Sequence, residues 1–219
     1  MVEIASIFEN GKNGHKIDKE KAANFYKMAI KEGNSNAMYR YYSMIVNDEN
    51  SEDHEKADDY LKMAVNKGNS DALNEIGFLV LNDLQKFEGI DKEKALNFIQ
   101  KAAYKGNVNA LYNLGFYLDL KAENEEDRIK AVNYIKKAAD EGNVDAMLYY
   151  GNKKEKDKDI ESAIYYFKLA ADKGNREAMF KYGYLIEDSN EEEAKRYFRM
   201  ATEKENNGQN DKAKYCCIQ

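Results

Sequence analysis

Five Gly-Asn pairs recur at a nearly regular period along this chain of 219 residues, each at the end of a run of helix-forming residues. They lie at Gly33-Asn34, Gly68-Asn69, Gly106-Asn107, Gly142-Asn143 and Gly174-Asn175, in steps of 35, 38, 36 and 32 residues. A period of this length is typical of repeat proteins, in which each repeat buries its apolar face on its neighbours. The spacing therefore predicts an architecture before any single side chain is considered.

The two residues of each pair are expected to end one helix and begin the next. Glycine adopts the left-handed conformation that terminates a helix, and an asparagine side chain caps the first turn of the following helix. Gly106 and Asn107 illustrate this, because an apolar pattern of helical spacing precedes and follows them. The pairs thus predict tight turns between antiparallel helices.

Apolar residues at helical spacing predict two alternating types of helix. Helices of the first type are expected near 35–47, 70–83, 108–120, 144–152 and 176–187, after a short leading helix near 2–9. Helices of the second type are expected near 18–32, 52–67, 91–105, 127–141, 159–173 and 190–205. The predicted fold is all-α, a right-handed α/α superhelical solenoid. Residues 1–205 are expected to form a single solenoid of about six helix pairs, with 206–219 as a tail or the start of a further helix.

Small residues at repeated positions predict close packing between the helices. Alanine recurs in both helix types, and a glycine recurs in the first type at Gly77, Gly115, Gly151 and Gly183. A glycine inside a helix costs about 1 kcal/mol relative to alanine, so four of them indicate a close helix contact. Tyr42 occupies this position in the first full repeat, which predicts altered packing there.

Composition and motifs exclude several function classes. The net charge is −6 with interleaved signs, unlike the basic stripe of a nucleic-acid-binding protein. No apolar stretch is long enough to span a membrane, and the first ten residues do not resemble a signal peptide. His15 and His54 lack partners at metal-ligand spacing. We therefore expect a cytoplasmic protein with no catalytic residues, no metal site, no cofactor and no nucleic-acid partner.

Three phrases resemble the Sel-one-like repeat, a relative of the tetratricopeptide repeat. They are Ser6-Ile7-Phe8-Glu9-Asn10-Gly11, Asp18-Lys19-Glu20-Lys21-Ala22 and Ala170-Ala171-Asp172-Lys173-Gly174-Asn175. The resemblance covers about residues 1–205. It implies a non-catalytic adaptor or scaffold that binds partner proteins. The alternative is a regulatory repeat segment of a larger signalling protein, for example one associated with a kinase.

Aromatic residues also lie on the first-type helices outside the predicted core positions. Each lies two or six residues after the alanine that recurs near the start of these helices. They are Tyr39, Phe78, Tyr112, Phe116, Phe180 and Tyr184. Aromatic rings dominate binding hot spots, so this aromatic stripe is a candidate groove for a partner peptide or helix. The alternative is that the rings pack between adjacent repeats.

The chain ends in Cys216-Cys217-Ile218-Gln219, which resembles a prenylation signal with Cys216 as the lipidated residue. One lipid chain gives only reversible membrane association, so the predicted attachment is weak. The alternative is that these residues begin another first-type helix, in which Cys217 takes a core position.

Overall fold

Helices make up nearly all the regular structure of the computed structural model, which describes residues 1–48 and 51–206. Within these ranges there are twelve α-helices, a short 3-10 turn at His54–Lys56 and one isolated bridge between Phe87 and Ile90. The predicted all-α class is confirmed. None of the helices described here is long and apolar enough to cross a membrane.

First-type helices have odd numbers and second-type helices have even numbers. Their bounds are α1 Val2–Asn10, α2 Lys19–Lys31, α3 Ser35–Val46, α4 Ala57–Asn66, α5 Ser70–Leu81, α6 Lys92–Tyr104, α7 Val108–Lys121, α8 Glu125–Asp140, α9 Val144–Lys156, α10 Ile160–Asp172, α11 Arg176–Ile186 and α12 Glu191–Asn206. The chain folds as two compact units, residues 1–107 (unit 1) and 108–219 (unit 2), each with three helix pairs. In both units every helix packs against the helix that follows it within that unit.

The Gly-Asn turns have the conformation that the sequence predicts. All five glycines have positive φ, for example 77° at Gly33 and 72° at Gly68. Asn34 Oδ1 accepts a hydrogen bond from Ala37 N at 3.0 Å, and Asn69 Oδ1 accepts one from Ala72 N at 2.9 Å. Asn143 and Asn175 cap their helices in the same way. These bonds satisfy backbone N–H groups that the first turn of a helix leaves unpaired.

The capping asparagines also join consecutive repeats through the other end of their side chains. At three of the caps, Nδ2 donates to an oxygen of the residue that lies two places after the preceding capping asparagine. The bonds are Asn69 to Asn36 Oδ1 at 2.7 Å, Asn107 to Asp71 Oδ1 at 2.7 Å, and Asn143 to Asn109 Oδ1 at 2.9 Å. An amide both accepts and donates, whereas a carboxylate only accepts. We call these bonds between consecutive repeats the asparagine ladder. The need for a donor explains why the cap is asparagine rather than aspartate.

The predicted close contact at the first-type glycines is confirmed. A Cβ atom at Gly115 would lie 2.9 Å from Ala131 O, and one at Gly151 would lie 2.6 Å from Phe167 Cε1. Real Cβ atoms do not approach other atoms so closely, so alanine does not fit without movement of the neighbours. Tyr42, which replaces the glycine in α3, is itself buried.

The second-type helices do not all bury the same aromatic position. The alanine positions are buried as expected. An aromatic residue follows the first alanine of each second-type helix by three residues, and in this column Tyr134 is 38% exposed. In five of these helices the residue after that position lies fully inside, at Tyr26, Leu61, Ile99, Ile135 and Phe167. In α10 and α12 the column residues Tyr166 and Tyr197 are themselves buried. In unit 2, Ile135 and Phe167 pack directly on the glycines of the paired helix.

Helix α9 extends beyond its expected end near residue 152 and ends at Lys156. Side chains of its last turns have partners that hold them in place. Lys153 forms a 2.7 Å ion pair with Asp119, and Lys154 lies over the Tyr150 ring and pairs with Asp159. Cations near a helix C-terminus also interact favourably with the helix dipole. Residues 153–158, which the predicted helix bounds leave as a connector between 144–152 and 159–173, are therefore mostly helical.

Candidate functional site

In unit 1, the aromatic stripe begins beside a polar cavity on the first-type helices. The cavity has a volume of about 320 Å³ and is lined by Glu9, Tyr39, Arg40, Ser43 and Asp71. These residues come from α1, α3 and α5, so the cavity crosses three consecutive first-type helices. Burial raises the pKa of Tyr39, and the nearby carboxylates of Glu75 and Asp71 raise it further. Tyr39 is therefore a neutral hydrogen-bonding group at the edge of the cavity.

Phe78 lies on the next first-type helix of unit 1 and is half-buried in α5. The Tyr39 ring lies 6.1 Å from the ring of Tyr42, the residue that replaces the glycine in α3. Both predicted stripe residues of unit 1 are thus partly covered by the protein rather than fully presented to solvent.

In unit 2, Tyr112 and Phe116 form a ring cluster with Tyr149 of the next first-type helix. The Phe116 and Tyr149 centroids are 5.4 Å apart with an interplanar angle of 81°, and Tyr112 lies 6.4 Å from Tyr149. Edge-to-face arrangements of this kind are favourable because the positive ring edge meets the negative ring face. The two predicted rings are half-buried and contribute to packing between repeats.

A carboxylate beside this ring cluster ties α7 to α9. Asp119 accepts a hydrogen bond from the Tyr149 hydroxyl at 2.5 Å and pairs with Lys153 at 2.7 Å. Burial raises the pKa of Asp119, but the bonds from Lys153 and Tyr149 lower it more, so the group stays ionised. The sequence analysis missed these three residues, because their spacing alone does not show that they meet.

Phe180 and Tyr184 are the stripe residues with the most exposed rings. Phe180 is 37% exposed and Tyr184 is 72% exposed, both on α11. Phe180 stacks near Phe198 of α12 with centroids 6.3 Å apart, whereas Tyr184 extends into solvent. No first-type helix follows α11 in the described residues, so nothing there covers these rings as Tyr149 covers Phe116.

The remaining predicted features concern metal ligands, the two histidines and the C-terminal cysteine. In the described ranges, no group of three or more histidine, cysteine, aspartate or glutamate residues has the arrangement of a metal site. His15 and His54 are both exposed. Cys216 lies outside the described residues, so its lipidation stays a prediction.

A sequence model of the Sel1 repeat matches residues 1–34, 70–107, 108–143, 146–175 and 176–206. The chain belongs to the Sel1 repeat family. Residues 35–69, which that model does not match, contain the repeat in which Tyr42 replaces the glycine. The Sel1 repeat is a non-catalytic scaffold fold that generally serves contacts between proteins.

Solved structures of similar proteins are helical repeat solenoids, which confirms the predicted fold class. A Sel1 repeat protein from Oxalobacter formigenes is 25% identical with a TM-score of 0.76, and the match covers 92% of this chain and 85% of that one. The protective antigen c5321 of uropathogenic Escherichia coli is 22% identical with a TM-score of 0.73, over 93% of this chain and 45% of that one. This Sel1 repeat chain therefore spans less than half of c5321.

Immunity protein PA5088 from Pseudomonas aeruginosa shares the fold at 18% identity, with a TM-score of 0.65 over 91% of this chain and 80% of that one. Curated proteins gave no match to the sequence.

Proposed function

We propose that this Sel1 repeat protein is a non-catalytic adaptor that binds a partner peptide or helix along its first-type helices. The observation that carries the proposal is the exposure of Phe180 and Tyr184 on α11. Tyrosine and phenylalanine supply large contact area at low conformational cost, and exposed rings of this kind are enriched in binding hot spots.

Within unit 1, the first-type helices offer polar contacts that would orient a partner. The cavity beside Tyr39 presents the Arg40 guanidinium together with the carboxylates of Glu9 and Asp71. Mixed charges of this kind favour one register of a bound peptide over others, because like charges placed opposite one another are repelled.

Membrane attachment through Cys216 is a further part of the proposed role, because an adaptor at a membrane surface brings its partner there. Intact mass of the protein from its own host tests this part directly. A mass increase that matches a prenyl group on Cys216 supports it, and an unmodified C-terminus contradicts it.

The binding role is tested by quantitative pull-down from the native host with wild-type protein and Tyr184→Ala. The Tyr184 ring is mostly in solvent, so its removal should change stability by no more than about 0.5 kcal/mol. Tyr165→Ala is a matched control, since Tyr165 is 57% exposed but lies on a second-type helix.

A partner retained by wild type and Tyr165→Ala but lost with Tyr184→Ala supports the proposal. Partners captured equally by all three proteins contradict it.

A further inference from the structure

A second surface lies on unit 1, between the second-type helices α4 and α6. This α4–α6 groove has a volume of about 520 Å³ and is lined by residues from α4, α5, α6 and the turns that follow α4 and α6. Val65 and Leu73 are buried at its base, and Phe98 is half-buried beside them. Tyr104, also in its lining, is 94% exposed. The groove therefore has an apolar base and an aromatic ring standing in solvent.

The equivalent space in unit 2 is crossed by a tyrosine–aspartate bond. The Tyr166 hydroxyl of α10 donates to Asp140 of α8 at 2.6 Å, and the Tyr197 hydroxyl of α12 donates to Asp172 of α10. In each case the aspartate lies two residues before the turn glycine, and the tyrosine lies three residues after the first alanine of its helix.

In unit 1 the same two positions are Asn66 and Phe98, which both line the groove. Phe98 has no hydroxyl group, so the bond that crosses this space in unit 2 cannot form. The two tyrosine–aspartate bonds of unit 2 thus serve as a reference for unit 1. By comparison with them, the open groove is associated with two replaced side chains, Asn66 and Phe98.

The charge of the groove differs from that of the whole chain. The chain has a net charge of −6, yet the residues described as lining the groove include Lys101 and Lys105 and no aspartate or glutamate. Lys105 Nζ donates to Gly68 O at 2.6 Å, which fixes one ammonium group at the edge. Lys101 is exposed on the same helix. Cationic edges around an apolar base complement a segment that carries carboxylates and an apolar side chain.

We propose that the α4–α6 groove binds an acidic segment of a partner protein. An aliphatic or aromatic side chain of that segment enters against Val65, Leu73 and Phe98, and its carboxylates lie near Lys101 and Lys105. Tyr104 packs along the bound segment. Most of this surface is formed by the second-type helices α4 and α6, with Leu73 of α5 at its base. None of its described lining residues belongs to the aromatic stripe, so on the proposed function the adaptor could hold two partners.

The test is a selection from a random 12-residue peptide library displayed on phage, followed by fluorescence anisotropy with the selected peptides. Four variants accompany wild type. Lys101→Glu reverses one charge, and Lys137→Glu is its control at the equivalent position in unit 2, where Lys137 is also exposed. Tyr104→Ala removes the exposed ring. The double variant Asn66→Asp with Phe98→Tyr introduces the bond that crosses the equivalent space in unit 2.

We expect the selected peptides to be rich in aspartate and glutamate around an apolar residue. Lys101→Glu should weaken their binding by about tenfold or more, since it replaces attraction by repulsion, and added salt should also weaken it. Lys137→Glu should bind as wild type does. The double variant should lose binding while its melting temperature stays the same or rises. If the double variant fails to fold, Tyr104→Ala provides the same test, because that ring makes little contact with the protein.

Several results would overturn the proposal. They are a selection that enriches no peptide, enrichment of neutral or basic peptides, and acidic peptides whose binding is unaffected by Lys101→Glu or Tyr104→Ala. Binding to phosphatidylserine vesicles that depends on Lys101 and Tyr104, without peptide binding, would assign the groove to a lipid surface instead.

Discussion

The hydroxyl of Tyr166 donates a hydrogen bond to Asp140 Oδ1 at 2.6 Å, and the Tyr166 ring meets Tyr150 edge-on with centroids 4.7 Å apart. The ring contact lies within one helix pair, whereas the hydroxyl reaches the preceding pair. Tyr197 repeats the arrangement, with Tyr182 as its ring partner at 4.8 Å and Asp172 as its acceptor. In each of the last two helix pairs, one tyrosine therefore stabilises both the packing within its pair and the contact with the preceding pair.

Replacing Tyr166 by phenylalanine removes this hydroxyl and keeps the ring. Asp140 still pairs with Lys136 at 2.6 Å, so we expect a loss of about 1–2 kcal/mol in the free energy of unfolding. Tyr165→Phe is the control, because the neighbouring Tyr165 is 57% exposed. Urea unfolding of the two variants measures the difference, and equal stabilities would show that the bond contributes nothing net.

Alkaline pH should destabilise the protein through its buried tyrosines. Burial, together with hydrogen bonds to Asp53, Asp140 and Asp172, raises the pKa of Tyr41, Tyr166 and Tyr197 to about 12. A tyrosine in the unfolded chain has a pKa of about 10. Since the folded-state pKa is the higher one, this stabilisation is complete below pH about 10 and is lost as the pH rises through about 12.

The melting temperature measured across that window should fall together with the appearance of tyrosinate absorbance. Lysines also lose their protons in this range, so the double variant Tyr166→Phe with Tyr197→Phe is the control. Its melting temperature should fall less than that of wild type over the same pH range. An identical pH profile would show that Tyr166 and Tyr197 do not contribute to the loss.

Gly151→Ala should destabilise unit 2 although alanine is the better helix former. The added Cβ would lie 2.6 Å from Phe167 Cε1, and such overpacking costs about 1–3 kcal/mol. Alanine recovers about 1 kcal/mol of helix propensity, so the net change should be a modest loss of stability.

The matched experiment repeats Gly151→Ala in the Phe167→Leu background, where the aromatic ring is gone. There the substitution should be neutral or stabilising, by up to about 1 kcal/mol. Denaturant unfolding of the four proteins gives the coupling between the two sites. Additive effects would mean that the contact at Gly151 is not with this ring.

Asn69→Asp separates the two roles of a capping asparagine. Aspartate keeps the cap on Ala72 but lacks the amide that donates to Asn36 Oδ1. Asn69 is also buried, so a charge there adds to the loss, and we expect a cost of about 1–2 kcal/mol.

Asn34→Asp is the comparison, because Asn34 is an exposed cap at the start of α3. Aspartate is favourable at a helix N-terminus by about 0.3–1 kcal/mol, so Asn34→Asp should be neutral or slightly stabilising. Thermal unfolding of both variants makes the comparison, and an equal response at the two sites would contradict the second role of Asn69.

The periodic features of the molecule could be predicted from the sequence, and the contacts between repeats could not. The roles of Gly115 and Asn69 could be predicted because close helix packing and helix N-capping both depend on residue type. The bond from Asn69 to Asn36 and the pair of Tyr149 with Asp119 depend on how far one repeat is displaced from the next. A pattern of apolar residues fixes which face of a helix is buried but not which neighbour covers it.

The same limit applies to the aromatic stripe. Its residues occupy one repeated position, yet Tyr112 is half-buried and Tyr184 is mostly exposed. The difference arises because Tyr149 covers the rings of α7, whereas no described first-type helix lies beyond α11. Position within the array, which no single repeat encodes, decides which rings remain exposed.

The asparagine ladder has a consequence for how such a chain changes length. Each of its hydrogen bonds joins a capping asparagine to the residue two places after the preceding cap. A copied segment of one period therefore contains both the donor and the acceptor that a new bond needs. Gene duplication of a single period would leave every existing junction intact and create one more of the same kind. Lengthening by whole periods is therefore chemically conservative, whereas an insertion inside a turn would break a junction that two repeats share.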